Sequence, residues 1–530
     1  MSRNRRTSKL RGALLFGFAS LWTATSPYHA EAAGSAVSPL GVYVKVDIEN
    51  AISAIRSQYT GDLEPTPKYV HVLLQKLYQR LLTNPAVSGI TVGAHWDHVQ
   101  PRNPLTANDS SDGYDWSYLD DAFGVANWAQ KMPVMLLITP GFNSPQWLLS
   151  EIPSCDGVFN SGTLPSVAKD CGTVTFAEFP EKQHADHDSE GHYVLPLPWN
   201  NVYQQAWSGF LQNLSTRYGN NPAFVAIAVA GPVGASTEMI LPTTSNHSLQ
   251  QPGLEADDAW VALIHHAFPT QTGDYDETDQ VFVDQWKRTI DTYNTIFPGV
   301  TLILSPDNGS DLPEFNMNHT PPSVINTPAW AKEDCEDAIV GKLDNLRSCE
   351  AKVAILSHFV DVTGSNALAT YVGGMTASSS PTYGNIGVAG IKLLTAPPPS
   401  PALLGGAEFD FPVSGKLKEE EGCPTFSNHP RVRCPDLTPE EAEYNVLTAF
   451  FYGTPVARHY GGQPGSSPAP VQFLDIPYDD IEYAIMNPCP PRPDAALYKK
   501  SLQDLLNSAN HDLLAMAGQQ VPLVPPTCSQ

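Results

Sequence analysis

Two glutamates stand where a working pair of carboxyl groups could stand. Glu238 follows the apolar run Phe224-Val-Ala-Ile-Ala-Val-Ala230 through the connection Gly231-Pro-Val-Gly-Ala-Ser-Thr237. Glu408 closes the run Leu404-Gly-Gly-Ala-Glu408, ahead of Phe409 and Asp410. Two facing carboxyls can divide acid from base or nucleophilic work when their surroundings push their pKa values apart. Asp410, two residues on, shares the strand face of Glu408 and is its substitute. The bland alternative for Glu238 is a loop carboxylate that pairs with a cation or caps a helix.

Other short β-branched runs also end in polar or aromatic residues. Asp47 ends the first. His95-Trp96-Asp97-His98 follows the second, and Phe142-Asn143-Ser-Pro-Gln-Trp147 the third. Asp307 and His358 follow later runs. Indole faces stack on the C–H faces of sugars, while imidazole and amide groups hydrogen-bond hydroxyls. Asp47, His95, Trp96, Asn143, Trp147, Asp307, His358 and Asp410 are therefore the candidate substrate-contacting ring. Trp96 and Trp147 would equally serve as packing at a rim. The segment His184-Ala-Asp-His187-Asp-Ser-Glu-Gly-His192 carries metal-type ligands, but its spacing fits no closed motif, so it reads as a solvated loop. HExxH, GxSxG, GxxxxGK[ST] and a GxGxxG turn are all missing, and no cofactor or metal is implied.

The elements that must position these residues alternate. Strands are expected at 41–47, 89–95, 134–139, 224–230, 300–304, 353–357, 403–409 and 471–476, and 387–394 is ambiguous between helix and strand. Helices are expected at 70–82, 118–130, 202–218, 281–297, 440–452 and 495–514. The run 224–230 has no polar residue, as a parallel strand covered on both faces requires. Eight strands interleaved with helices make an α/β chain, best read as a (β/α)8 TIM barrel. In such a barrel, polar residues just past the strand ends are where chemistry sits, and strands four and seven face each other across the mouth. A doubly wound open sheet is the alternative, weakened by the missing Gly-rich turn. An insertion of about 50 residues after the third strand carries Cys155 and Cys171.

Composition narrows the partners. The 530 residues carry a formal net charge of −25, which repels phosphate backbones and anionic lipids. Nucleic acid is not expected as a partner. Arg3, Arg5, Arg6, Lys9 and Arg11 precede a short apolar stretch and Ala30-Glu31-Ala32, the pattern of a signal peptide over 1–32. Residues 33–530 would then form a single elaborated barrel, secreted or periplasmic. No later stretch has the roughly 18 apolar residues of a membrane span. All eight cysteines fall after this segment, and none of their spacings is CxxC. Disulfides that clip the loops are expected, with sequential pairing the economical choice among the connectivities. Oligomeric state is not legible.

Glutamates after the fourth and seventh strands of an exported barrel resemble the retaining glycoside hydrolases of the large (β/α)8 clan, clan A. The resemblance implies that Glu238 is the acid/base, Glu408 the nucleophile, and an O-glycosidic bond of a poly- or oligosaccharide the substrate. Retention would place the two carboxyls about 5–5.5 Å apart. The Gly231-Pro-Val-Gly234 stretch ahead of Glu238 is similar to the inverting β-amylases. Two other classes remain open: a carbohydrate-binding protein on a hydrolase-like barrel without a working pair, and a metal-dependent hydrolase using the His184–His192 segment.

Overall fold

The computed structural model describes residues 39–59, 65–107, 112–129, 132–159, 167–176, 193–242, 256–269, 280–305, 354–355, 358–359, 361–363, 368–375, 404–409, 471–489 and 500–524. Eight parallel strands close into a ring. They are β1 (Gly41–Asp47), β2 (Gly89–His95), β3 (Val134–Thr139), β6 (Phe224–Ala228), β7 (Thr301–Leu304), β8 (Leu368–Met375), β9 (Leu404–Phe409) and β10 (Val471–Pro477). Around the ring their order is β1-β10-β9-β8-β7-β6-β3-β2. The first strand therefore pairs with the last, Gly41 opposite Phe473 and Lys45 opposite Pro477. Closure leaves no free sheet edge.

Burial explains why these segments are strands. β2 is buried at all seven positions, and β3 at every position but its last. Alternate residues divide between two apolar layers. Tyr43, Met135, Leu137, Val225, Ala226, Ala228, Ile303 and Phe473 form one compact cluster. Their strand neighbours Val42, Val44, Val46, Ile90, Val92, Leu136 and Ile138 belong to a second, larger cluster with the helices.

Helices follow the strands wherever the connections are described. They are α1 (Ile48–Ser57) and α2 (Pro67–Leu82) after β1, and α3 (Trp96–Val99) and α4 (Ser117–Trp128) after β2. α5 (Gln146–Glu151) and α6 (Asn201–Tyr218) follow β3, and α7 (Ala256–Ala267) and α8 (Gln280–Ile296) follow β6. α9 (Tyr478–Met486) and α10 (Leu502–Met516) follow β10. Local signals start them. Pro67 opens α2 at a position that needs no backbone donor. Asn200 caps α6 by accepting from Tyr203 N at 3.0 Å. Ser501 and Asp504 form a reciprocal capping box on α10. On α2, Val70, Leu74, Leu77, Tyr78 and Leu81 recur at helical spacing and are all buried.

Two features depart from expectation. The sixth strand of the ring is Leu368–Met375, whereas Ala354 and Ile355, inside the expected strand 353–357, are helical. A short apolar run cannot be assigned by periodicity alone, and the two described residues of this one are helical. The insertion after β3 also carries structure of its own. β4 (Thr173–Phe176) and β5 (Tyr193–Pro196) pair antiparallel, Thr173 opposite Pro196. Cys155 is bonded to Cys171, the first sequential pair, across 16 positions. Val174, Phe176, Tyr193 and Leu195 join Phe142, Trp260 and Phe282 in a third apolar cluster over this region. Cys489 is also disulfide-bonded. Cysteines 335, 349, 423, 434 and 528 lie outside the described residues, as do the signal segment 1–32, the stretch 387–394 and the expected helix 440–452.

Candidate active site

The C-terminal strand ends gather the residues with chemical capacity at one mouth. Glu238 reaches it by an irregular path. After β6 the chain continues to a short parallel bridge between Glu238 and Ser305, immediately beyond β7. The glutamate thus sits at the end of the fifth strand of the ring rather than directly above the fourth. Its neighbours anchor it, since Thr237 and Met239 are buried while Glu238 is partly exposed. Ile240 N donates to the Glu238 carbonyl at 2.8 Å, and Gly234 N donates to the Ile240 carbonyl at 2.7 Å.

The loop after β3 braces this segment from the other side. Phe142 N donates to the Gly234 carbonyl at 2.8 Å. The Asn143 amide donates to Thr139 Oγ1 at 2.9 Å and reaches the Ala235 carbonyl at 3.4 Å. Gly141, at φ +72°, runs directly against the backbone carbonyls of Val233 and Gly234, where a Cβ has no room. Asn143 is fully buried. Its amide hydrogen bonds to the end of β3 and to the Ala235 carbonyl tie the Glu238 segment to the loop after β3.

Glu408 is the penultimate residue of β9 and stands opposite Asp475 of β10. Asp475 in turn stands opposite Tyr43 of β1. Asp475 is fully buried and accepts from Thr91 Oγ1 at 2.6 Å. Glu408 is therefore level with a buried carboxylate on the next strand. Around the ring, one strand, β8, separates β9 from the β7 end that Glu238 reaches.

The remaining expected residues divide. Asp47 ends β1 and also caps α1, accepting from Asn50 N at 2.8 Å. Gly93 lies beside it, and a Cβ there would stand 3.3 Å from Asp47 Oδ2. Burial, and then the nearby Glu49 carboxylate, push the Asp47 carboxyl above its ordinary range, against the Asn50 N–H and the charges of His95 and Lys45. His95 ends β2 at the same mouth and is 9% exposed. Trp147 is half-buried, and its indole donates to the Gln100 carbonyl at 3.1 Å.

Trp96 takes the packing alternative of the two that the sequence left open. Its ring is fully buried against Trp207, with centroids 4.8 Å apart, and its indole donates to Gln100 Oε1 at 2.8 Å. No face is left for a sugar. His358 is corrected. It lies ten residues ahead of β8, in a helical turn, with Nε2 2.9 Å from Asp291 Oδ1 of α8. It therefore does not follow the sixth strand. Asp307 and Asp410 lie outside the described residues, as does the segment 184–192.

Sequence reasoning missed a polar cluster between the first two units. Glu49 of α1 accepts from His95 N at 3.1 Å, and the same oxygen lies 2.8 Å from His98 Nδ1. Burial alone would raise the Glu49 carboxyl. The His98 hydrogen bond, the charges of His95 and His98, and the His95 N–H together hold it below its ordinary range. The signal was in the chain: Asp47-Ile-Glu49 after one strand, and His95-Trp-Asp-His98 after the next. Glu49, His95 and His98 are the described residues whose grouping could hold a metal ion.

No family model matches the chain, and no curated protein matches it. Among solved structures, it is similar to the catalytic domain of beta-amylase from Paenibacillus polymyxa. That likeness has 10% identity and a TM-score of 0.35, over 84% of this chain and 94% of that one. It is also similar to a thermostable mutant of the xylanase Xyn10A from Cellvibrio japonicus, at 9% identity and a TM-score of 0.35, over 83% and 86%. Gan42B, a GH42 beta-galactosidase from G. stearothermophilus, is 10% identical with a TM-score of 0.31, over 92% of this chain and 59% of that one.

Proposed function

We propose that the chain is an exported glycoside hydrolase that cleaves an O-glycosidic bond of an oligo- or polysaccharide. In this reading residues 1–32 are a signal peptide and 33–530 one elaborated (β/α)8 barrel with disulfide-clipped loops. Glu238 is the general acid/base and Glu408 the nucleophile. The observation that supports the reading is the backbone position of two glutamates at C-terminal strand ends of a closed parallel barrel. One sits beyond β7 and the other at the end of β9.

The chemistry follows from that placement. Protonated Glu238 donates to the glycosidic oxygen as the bond breaks. Ionised Glu408 attacks the anomeric carbon, and a covalent glycosyl ester forms. Glu238, now ionised, takes a proton from water, which hydrolyses the ester with net retention. The bracing of Glu238 by Gly141, Asn143 and Met239 supports this role. A proton donor must hold its position to within a fraction of an ångström.

The experiment is a product screen on polysaccharides and aryl glycosides with the parent, Glu408→Gln and Glu238→Gln. Sugar release that falls about a thousandfold or more in each variant is the expected result. NMR of the fresh product should show the substrate's anomeric configuration. Inverted product would replace the double displacement by a single one. Release that survives both substitutions would remove the pair from the chemistry. No release on any substrate would favour a barrel that binds carbohydrate without cutting it.

A further inference from the structure

Glu49, His95 and His98 bring together one carboxylate and two imidazoles, with ligand atoms all within 4.8 Å of one another. We propose that these three side chains bind a divalent first-row transition-metal ion, of the class of Zn2+, at the rim of the barrel between its first and second strands. Two imidazoles with one carboxylate favour such ions over Ca2+ and Mg2+, which prefer all-oxygen shells. His2Glu is an established ligand set for zinc, and three protein ligands leave one position open.

The local geometry supports a cation more strongly than a hydrogen-bonded trio. Glu49 Oε1 faces both the His95 N–H and His98 Nδ1. Its other oxygen, Oε2, is buried and makes no hydrogen bond. A buried carboxylate oxygen left without a donor costs on the order of 1–3 kcal/mol or more. A metal ion bonded to Glu49 would remove that cost. The His95 and His98 rings stack, with centroids 5.4 Å apart and 23° between planes.

Small motions suffice. Metal–ligand bonds of about 2.1 Å in a tetrahedron put donor atoms about 3.4 Å apart. The widest pair must close by at most about 1.4 Å, within reach of a side-chain rotation. The His98 side chain is 52% exposed, so an ion has a route in from solvent. The net charge of −25 raises the local concentration of cations. Because Glu49 belongs to α1 and the histidines to the β2–α3 junction, the ion would tie two successive strand–helix units together. Around the ring, β10 separates β1 from the β9 end that carries Glu408, and β3 and β6 separate β2 from the β7 end that Glu238 reaches; the proposal is independent of the role of either glutamate.

The test uses the full mature chain, stripped with a chelator and titrated with Zn2+ against a chromophoric competitor. Parent, Glu49→Gln, His98→Ala, His187→Ala and His511→Ala are compared, with circular dichroism and Tm confirming that each is folded. One zinc per chain is expected, with affinity reduced at least about tenfold in Glu49→Gln and His98→Ala. The His187 and His511 variants should match the parent. Co2+ in place of Zn2+ should give a tetrahedral visible absorption band that His98→Ala removes. Absence of stoichiometric binding would overturn the proposal. So would affinity unchanged in both Glu49→Gln and His98→Ala, or binding lost with His187 instead.

Discussion

Asp475 shows how much a single residue can matter inside a closed barrel. It is fully buried, its carboxylate accepts from Thr91 Oγ1, and its backbone stands opposite Glu408. Thr91→Val keeps the shape and removes the hydroxyl, so a buried carboxyl group loses a donor. Denaturant unfolding should show a loss of about 1–3 kcal/mol, with the folded barrel otherwise retained. A loss near zero would mean that the hydroxyl carries no load there. Residue-level legibility was uneven for the same physical reason. The strand-end position of Glu408 was readable because polar residues at the close of apolar runs mark strand ends, whereas Glu238 reaches the end of β7 instead of the fourth strand that its apolar run forms. Trp96 and Asn143 have the right types and positions for a ligand, yet both are fully buried. Side-chain burial depends on what packs from elsewhere, here Trp207 and the segment around Ala235, and no local pattern announces it. Glu49 was missed because its partners come from the next strand–helix unit.

At the scale of elements, the tight spot is the crossing of Gly141 and Gly234. The loop after β3 and the segment that delivers Glu238 touch backbone to backbone there. Gly141→Ala meets both an unfavourable φ of +72° and the Val233 and Gly234 carbonyls. On the proposed role of Glu238 as proton donor to a glycoside, the variant should lower kcat at least tenfold while KM changes little. Unchanged kcat would mean that the Glu238 segment is placed by β7 alone. The sequence located β1, β2 and β3 to the residue, since each is a β-branched run bounded by turn residues. It failed at the sixth strand, where Leu368–Met375 contains two glycines and Ala351-Lys-Val-Ala-Ile-Leu-Ser357 has the better apolar run. It also missed α7 and the β4–β5 antiparallel pair, which share an apolar cluster of their own.

For the molecule as a whole, charge is the dominant long-range term. A net charge of −25 spread over one folded chain repels itself, and salt screens that repulsion. Between about 10 mM and 150 mM monovalent salt the Debye length falls from roughly 30 to 8 Å. Tm should rise over that interval at neutral pH and level off beyond it. A falling Tm would mean that attractive ion pairs, such as Arg217 with Asp120, outweigh the net repulsion. The ring of parallel strands was legible from alternation alone, because only a closed or doubly covered sheet accommodates strands that apolar.

The seam between β1 and β10 has one more consequence. Val42 N donates to Asn510 Oδ1 at 2.8 Å, across 468 positions of chain. A ribosome therefore releases the opening strand long before its lateral neighbour exists. Until residue 471 emerges, β1 offers a bare line of amides and carbonyls to any passing strand. A message cut short before that point would yield a sticky fragment rather than a smaller barrel, and chaperone demand in the producing cell should scale with how often synthesis stalls there.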